Sequence, residues 1–157
     1  LEQIPTEWPI IGGYGYGDEQ FDDYFYFISL RVPIVHQIIL KGSYVTDEGV
    51  KHMSSFKELK LLYLRKHQAI TKNSIPYFNQ MQSLESLNIT KTNITLTHLC
   101  ENLNNQSLKE VFIDSEENEE NLVEKGFVLK ERMPNCNFYI DTCFSTNILG
   151  NPIDPIF

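Results

Sequence analysis

The residues able to do chemistry are few and scattered. The chain carries four histidines, His36, His52, His67 and His98, and three cysteines, Cys100, Cys136 and Cys143. None of the histidines stands near a serine or cysteine in the pattern that nucleophilic catalysis needs, with a base and a third group to orient it. His98-x-Cys100 has the spacing of two zinc ligands but lacks two more. Asp114-Ser-Glu-Glu-Asn-Glu-Glu120 is a dense acidic run, yet it lacks the alternating ligands and central glycine of a calcium loop. Ile11-Gly-Gly-Tyr-Gly-Tyr-Gly17 offers glycines that could cradle a phosphate. It has no Lys-Ser/Thr after it, and Asp18, Glu19, Asp22 and Asp23 follow and would repel an anion. An enzymatic reading therefore rests on the glycine-aromatic arm alone, around Gly13, Gly15 and Asp18. The expectation is a non-catalytic protein with no metal and no cofactor.

Charge and composition narrow the partners. The chain has 157 residues, enough for one domain with a sizeable core, and 41% of them are apolar. The net charge is −8. Nucleic acid is then an unfavourable partner, because its binding rests on Lys and Arg neutralising phosphates. A basic protein is a favourable one. No apolar run approaches the length that spans a bilayer. An odd, sparse cysteine set describes neither a disulfide framework nor a metal knot, although Cys136 and Cys143 are close enough in sequence to pair in an oxidising compartment. The default is a reduced, cytoplasmic chain.

The positioning elements follow from a repeat. The pattern apolar-x-x-apolar-x-apolar occurs at Val35/Ile38/Leu40, Leu59/Leu62/Leu64, Leu84/Leu87/Ile89 and Leu108/Val111/Ile113, with a degraded copy at Asn135/Phe138/Ile140. The copies begin 24, 25, 24 and 27 residues apart. Each reads as a short strand. After a turn comes an apolar-Thr pair, Val45-Thr46, Ile70-Thr71 and Ile94-Thr95, whose threonine is placed to cap a helix. Apolar residues then recur at helical spacing: Val50, Met53 and Phe56; Ile75, Phe78 and Met81; Leu96, Leu99 and Leu103. The acidic run breaks the fourth unit, for which one or two helical turns ending at Gly126 are expected. At the front, Pro5 and Pro9 predict an irregular arm over residues 1–24, its Trp8, Tyr14 and Tyr16 packing on the first repeat or the sheet edge. The aromatic density of Phe21–Val32 predicts a capping strand. Residues 1–34 are thus arm and cap, 35–141 the repeats, and 142–157 an irregular tail.

The pattern LxxLxLxxTxIT(D)xG(L)xxLxxLxxL, clearest in Val35–Phe56 and Leu84–Leu103, resembles the leucine-rich repeat family. It is closest to the 24–25-residue repeats of many bacterial proteins and of F-box proteins. The resemblance covers about two-thirds of the chain. It implies an α/β fold: a short, curved, right-handed solenoid with a parallel sheet on its concave side and helices on its convex side. The asparagine that usually follows the strand is absent; Lys66 or His67, Lys91 or Thr92 and Ser115 occupy that region.

With the repeat positions in the core, the alternate strand positions face the other side of the sheet. The middle column is Ile39, Tyr63, Asn88, Phe112 and Tyr139, the column after it Lys41, Arg65, Thr90, Asp114 and Asp141, and Leu61 and Glu110 stand in the column before. A row of large apolar side chains on a solvated face has the composition of an interface core. The charged column would orient a partner. Ile39, Lys41, Leu61, Tyr63, Arg65, Asn88, Glu110, Phe112, Asp114, Tyr139 and Asp141 are therefore the candidate partner-binding residues, unless the arm or the tail covers this face from within the chain. The functional expectation is a protein-binding module, in its sharper form a bacterial immunity protein that plugs a basic toxin. The alternatives are an adaptor or scaffold subunit, or an enzyme with its site in the arm.

Overall fold

Each Leu/Ile/Val repeat position needs a neighbour to bury against, and the chain supplies one by laying successive strands side by side. A computed structural model describes residues 3, 5–14, 19–116 and 119–157, and of Glu119 the backbone only. It contains one six-stranded sheet in which the strands follow one another in sequence order, β1 (Glu7–Gly12), β2 (Ile34–Lys41), β3 (Leu61–Arg65), β4 (Ser86–Asn88), β5 (Glu110–Ile113) and β6 (Asn137–Ile140). All neighbours are parallel. Between them run the helices α1 (Asp22–Ser29), α2 (Asp47–Met53), α3 (Ile75–Gln80), α4 (Leu96–Asn102) and α5 (Glu119–Arg132), with a 3₁₀ turn at Lys72–Ser74 before α3. The protein is an α/β chain with a parallel sheet.

The register matches the repeat. Ile38 lies beside Leu62, Leu62 beside Leu87, Leu87 beside Val111 and Val111 beside Phe138. These side chains meet Val50, Met53, Phe78, Leu96, Leu99, Leu129 and Met133 from the helices in one buried cluster. Burying each is worth about 1.5–3 kcal/mol.

The threonines cap as their position predicts. Thr46, Thr71 and Thr95 accept from the backbone N–H of Glu48, Asn73 and His98. A second device ties one unit to the next. The Asp22 carboxylate accepts from the backbone N–H and hydroxyl of Thr46, at 2.8 and 2.6 Å, and Asp47 accepts the same pair from Thr71 at the same distances. The turn after each strand is closed by a polar side chain where asparagine is missing. Ser43 Oγ accepts from Val45 N–H, His67 Nδ1 donates to the Leu64 carbonyl, and Thr92 Oγ1 donates to Ile89 and accepts from Ile94.

Three expectations need correction, all outside the clear repeats. The arm is not wholly irregular: Glu7–Gly12 forms β1, so the sheet has six strands rather than five. Phe21–Val32 is not a strand but carries helix α1. Asp22 and Asp23 occupy its first turn, where acids suit the helix dipole. Phe25 is its fully buried residue, with Ile28 packed beside the core, a spacing of three that a strand would put on opposite faces. The fourth unit holds a 14-residue helix, α5, rather than one or two turns. Gly126 lies inside it rather than at its end, and its bare Cα admits the Phe157 ring: a Cβ there would stand 2.6 Å from that ring. Glu117 and Asn118 of the acidic run, like Gly15, Tyr16, Gly17 and Asp18 of the arm, lie outside the described residues.

Candidate interaction surface

The sheet face away from the helices is closed by the chain's own ends. Ile39, Tyr63, Asn88, Phe112 and Tyr139 are only 2–7% exposed. They share a row because their strands pair in register, but the row is not open to solvent. Tyr14 from the arm stands edge-on to Tyr63 at 5.1 Å, and Phe144 from the tail meets Tyr14 at 5.9 Å and Tyr63 at 6.4 Å. Phe112 stacks on Tyr139 at 4.9 Å. The physical reason is area: such a row left bare would hold several aromatic faces in water, and the tail removes them.

Polar groups hold the tail there. Asn88 Nδ2 donates to the Cys143 carbonyl at 3.1 Å, and the Arg65 guanidinium donates to Cys143 Sγ and, at 3.0 Å, to Thr90 Oγ1. Thr90 in turn donates its hydroxyl to Asn88 Oδ1 at 2.7 Å. A cavity of about 130 Å³ remains between tail and sheet, lined by Tyr14, Tyr63, Ser86, Asn88, Glu110, Phe112 and Phe144 among others. Burial, and then Glu110, push the Tyr14 phenol up; burial, and then Cys143, push Tyr63 up against the opposing effect of Arg65. Both rings stay neutral. All three cysteines are free thiols, so Cys136 and Cys143 do not pair. Cys136 is buried and its thiol is pushed up to about 12, chiefly by desolvation.

The remaining candidates serve the fold in part. Asp114 accepts from Lys91 N–H at 2.6 Å and Asp141 from Ser115 N–H at 2.9 Å. Glu110 accepts from the Ser86 hydroxyl at 2.7 Å. Leu61 and Lys41 are half-buried. Gly12 has φ +84°, and a Cβ on it would stand 2.0 Å from the Ile39 carbonyl. That glycine lets the arm cross close over β2, a structural use of the arm's composition. The histidines stay apart: His67 is buried against Ser43, His98 completes the α4 cap with Thr95, His52 lies against Tyr26, and His36 meets Glu7.

Open apolar surface lies elsewhere, one part of it on and beside α1. Phe21 (58% exposed) and Tyr44 (61%) stack face to face at 4.8 Å. Phe27 (59%) and Leu30 (63%) are as open, with Tyr24 and Tyr26 also exposed. Glu19, Asp23 and Glu48 are exposed acids on the same segments. Sequence reasoning passes over this surface because a strand there would have capped the sheet. One signal points to it: Asp22-Asp23 precedes Asp47-Glu48 by 25 residues, the repeat period. Carrying the phase back one unit predicts a helix at 22. At the other end of the chain Val123, Phe127 and Ile156 are exposed around a groove that Phe157 also lines.

No protein-family model matches the chain, and no curated protein matches it. No described helix is long and apolar enough to cross a membrane.

Proposed function

We propose that the six strands and their helices form a short leucine-rich-repeat solenoid that acts as a non-catalytic protein-binding module, and that it docks a basic partner on the aromatic face of α1 and Tyr44. The observation that carries this reading is that exposed face. Folded chains bury Phe and Tyr where they can, and a cluster of bare rings fringed by acids has the composition of an interface core with a polar rim. The repeat supports the solenoid: five in-register strand pairs at a period of 24–27 residues, with capping threonines in phase. The net charge of −8 supports a basic partner. An inhibitor that occludes a cationic protein, such as an immunity protein on its toxin, is the form of this reading that the charge favours.

In this account the inner row is a second core, and binding moves to the end of the stack. The test compares proteins retained by the immobilised wild type with those retained by a Phe27→Ser/Tyr44→Ser variant. Both positions are exposed, so the variant keeps the wild-type Tm within about 2 °C. The expected result is a basic protein retained by the wild type, lost from the variant, and released as salt rises through the range in which surface charges are screened. Equal retention on both columns contradicts the docking face. Retention that ignores salt removes the electrostatic part.

A further inference from the structure

Three side chains converge at the end of the sheet where the strands begin. Glu7 opens β1, His36 lies in β2, and Glu58 sits in the loop before β3. Glu7 Oε1 is 2.6 Å from His36 Nε2, and Glu58 Oε2 is 3.8 Å from the same nitrogen. One ligand atom from each residue lies within 4.8 Å of the other two. Among the described residues no lysine or arginine makes an ion pair with either carboxylate. A histidine–glutamate pair needs one carboxylate. The second offers a further oxygen ligand to an ion placed among the three.

The backbone fixes where these groups stand. Thr6 O accepts from Ile34 N–H beside Glu7, and Lys57 O accepts from Val35 N–H while Lys60 N–H donates to His36 O, on either side of Glu58. Glu58 is held between those bonds at φ +62°. The side chains reach outward, His36 half-buried and the two glutamates exposed, so their ends can adjust.

We propose that Glu7, His36 and Glu58 bind a divalent cation of the zinc type. One imidazole nitrogen with two carboxylate oxygens suits a borderline ion rather than magnesium or calcium, which prefer all-oxygen shells. A tetrahedral zinc at the usual bond lengths needs ligand atoms about 3.4 Å apart. Glu7 must withdraw somewhat from His36 and Glu58 must approach it, movements that two exposed side chains make without backbone change. The ion takes the lone pair of His36 Nε2, with the ring in the neutral tautomer that carries its proton on Nδ1, and leaves its fourth position to water. Because the ligands come from three successive units, the bound ion clamps β1, which pairs with the sheet on one side only, to β2 and to the loop before β3. This inference is independent of the docking face.

The test is titration of the metal-free chain with Zn²⁺ against a chromophoric chelator, and with Co²⁺ followed by absorption. One equivalent is expected, with affinity falling at least about tenfold in His36→Ala and in Glu7→Gln/Glu58→Gln. Bound Co²⁺ should lack the near-ultraviolet band of thiolate ligation, which separates this site from the free cysteines. Zn²⁺ should slow amide exchange in β1 of the wild type and leave it unchanged in His36→Ala. No uptake, uptake retained in His36→Ala, or a thiolate band overturns the proposal.

Discussion

Replacing Phe112 and Tyr63 together with alanine should remove most of this protein's stability. Each ring is almost fully buried, Phe112 against Tyr139 and Tyr63 against Tyr14 and Phe144. Truncating a buried aromatic to alanine costs about 3–5 kcal/mol, because transfer energy is lost and a cavity is left. The two positions lie on β5 and β3 with β4 between them, roughly 10 Å apart at the usual strand spacing. Their effects should then add to within a few tenths of a kcal/mol, a sum of about 6–10 kcal/mol against a typical total of about 5–15 kcal/mol. Urea denaturation reads this directly, with each single variant at a lower midpoint and the double variant largely unfolded in buffer. A double variant with a near-native midpoint would mean that the row is open surface after all.

Deleting residues 142–157 should have the second-largest effect, and a different signature. The tail brings Phe144 to Tyr63 and Phe157 to Phe138, the latter pair at 5.7 Å. It also closes the outer edge of β6: Phe138 N–H donates to Phe157 O, and Ile156 N–H donates to Phe138 O. Two partly buried phenylalanines together contribute roughly 1.5–3 kcal/mol, about half of what full burial would give. Removing them uncovers both the aromatic row and an unpaired strand edge, which invites pairing between chains. The truncated chain is expected to unfold at a lower temperature, to bind a hydrophobic dye while still folded, and to self-associate. Unchanged Tm and no dye binding would detach the tail from the fold.

The repeat made the middle of the molecule legible. Val35, Leu59, Leu84 and Leu108 mark strands whose register the structure reproduces, and Thr46, Thr71 and Thr95 mark helix starts, because each depends on local period and local capping. The ends were less legible for one reason: their structure depends on what lies across from them. Glu7–Gly12 has no alternation of its own and becomes a strand because β2 presents an edge. Tyr24–Ile28 is so uniformly apolar that its period is hidden, and the helix shows only in Asp22 and in the 25-residue phase. In the same way, the residues facing away from the helices were correctly placed on one face, but whether Tyr63 and Phe112 met water depended on Tyr14 and Phe144, far away in sequence. The alternation along a strand says which side a residue takes, not what covers that side. Glu7, His36 and Glu58 likewise carry no recognisable spacing and meet only through strand pairing.

The closed inner row and the open aromatic face of α1 predict different responses to the proposed partner. The direct measurement is amide hydrogen exchange of the chain with and without a retained basic partner. Docking at α1 predicts added protection in residues 19–31 and around Tyr44, with exchange in β3, β5 and the tail unchanged. Protection in β3 and β5 accompanied by faster exchange in residues 142–157 would show the tail giving way to the partner, and would place binding on the inner row instead.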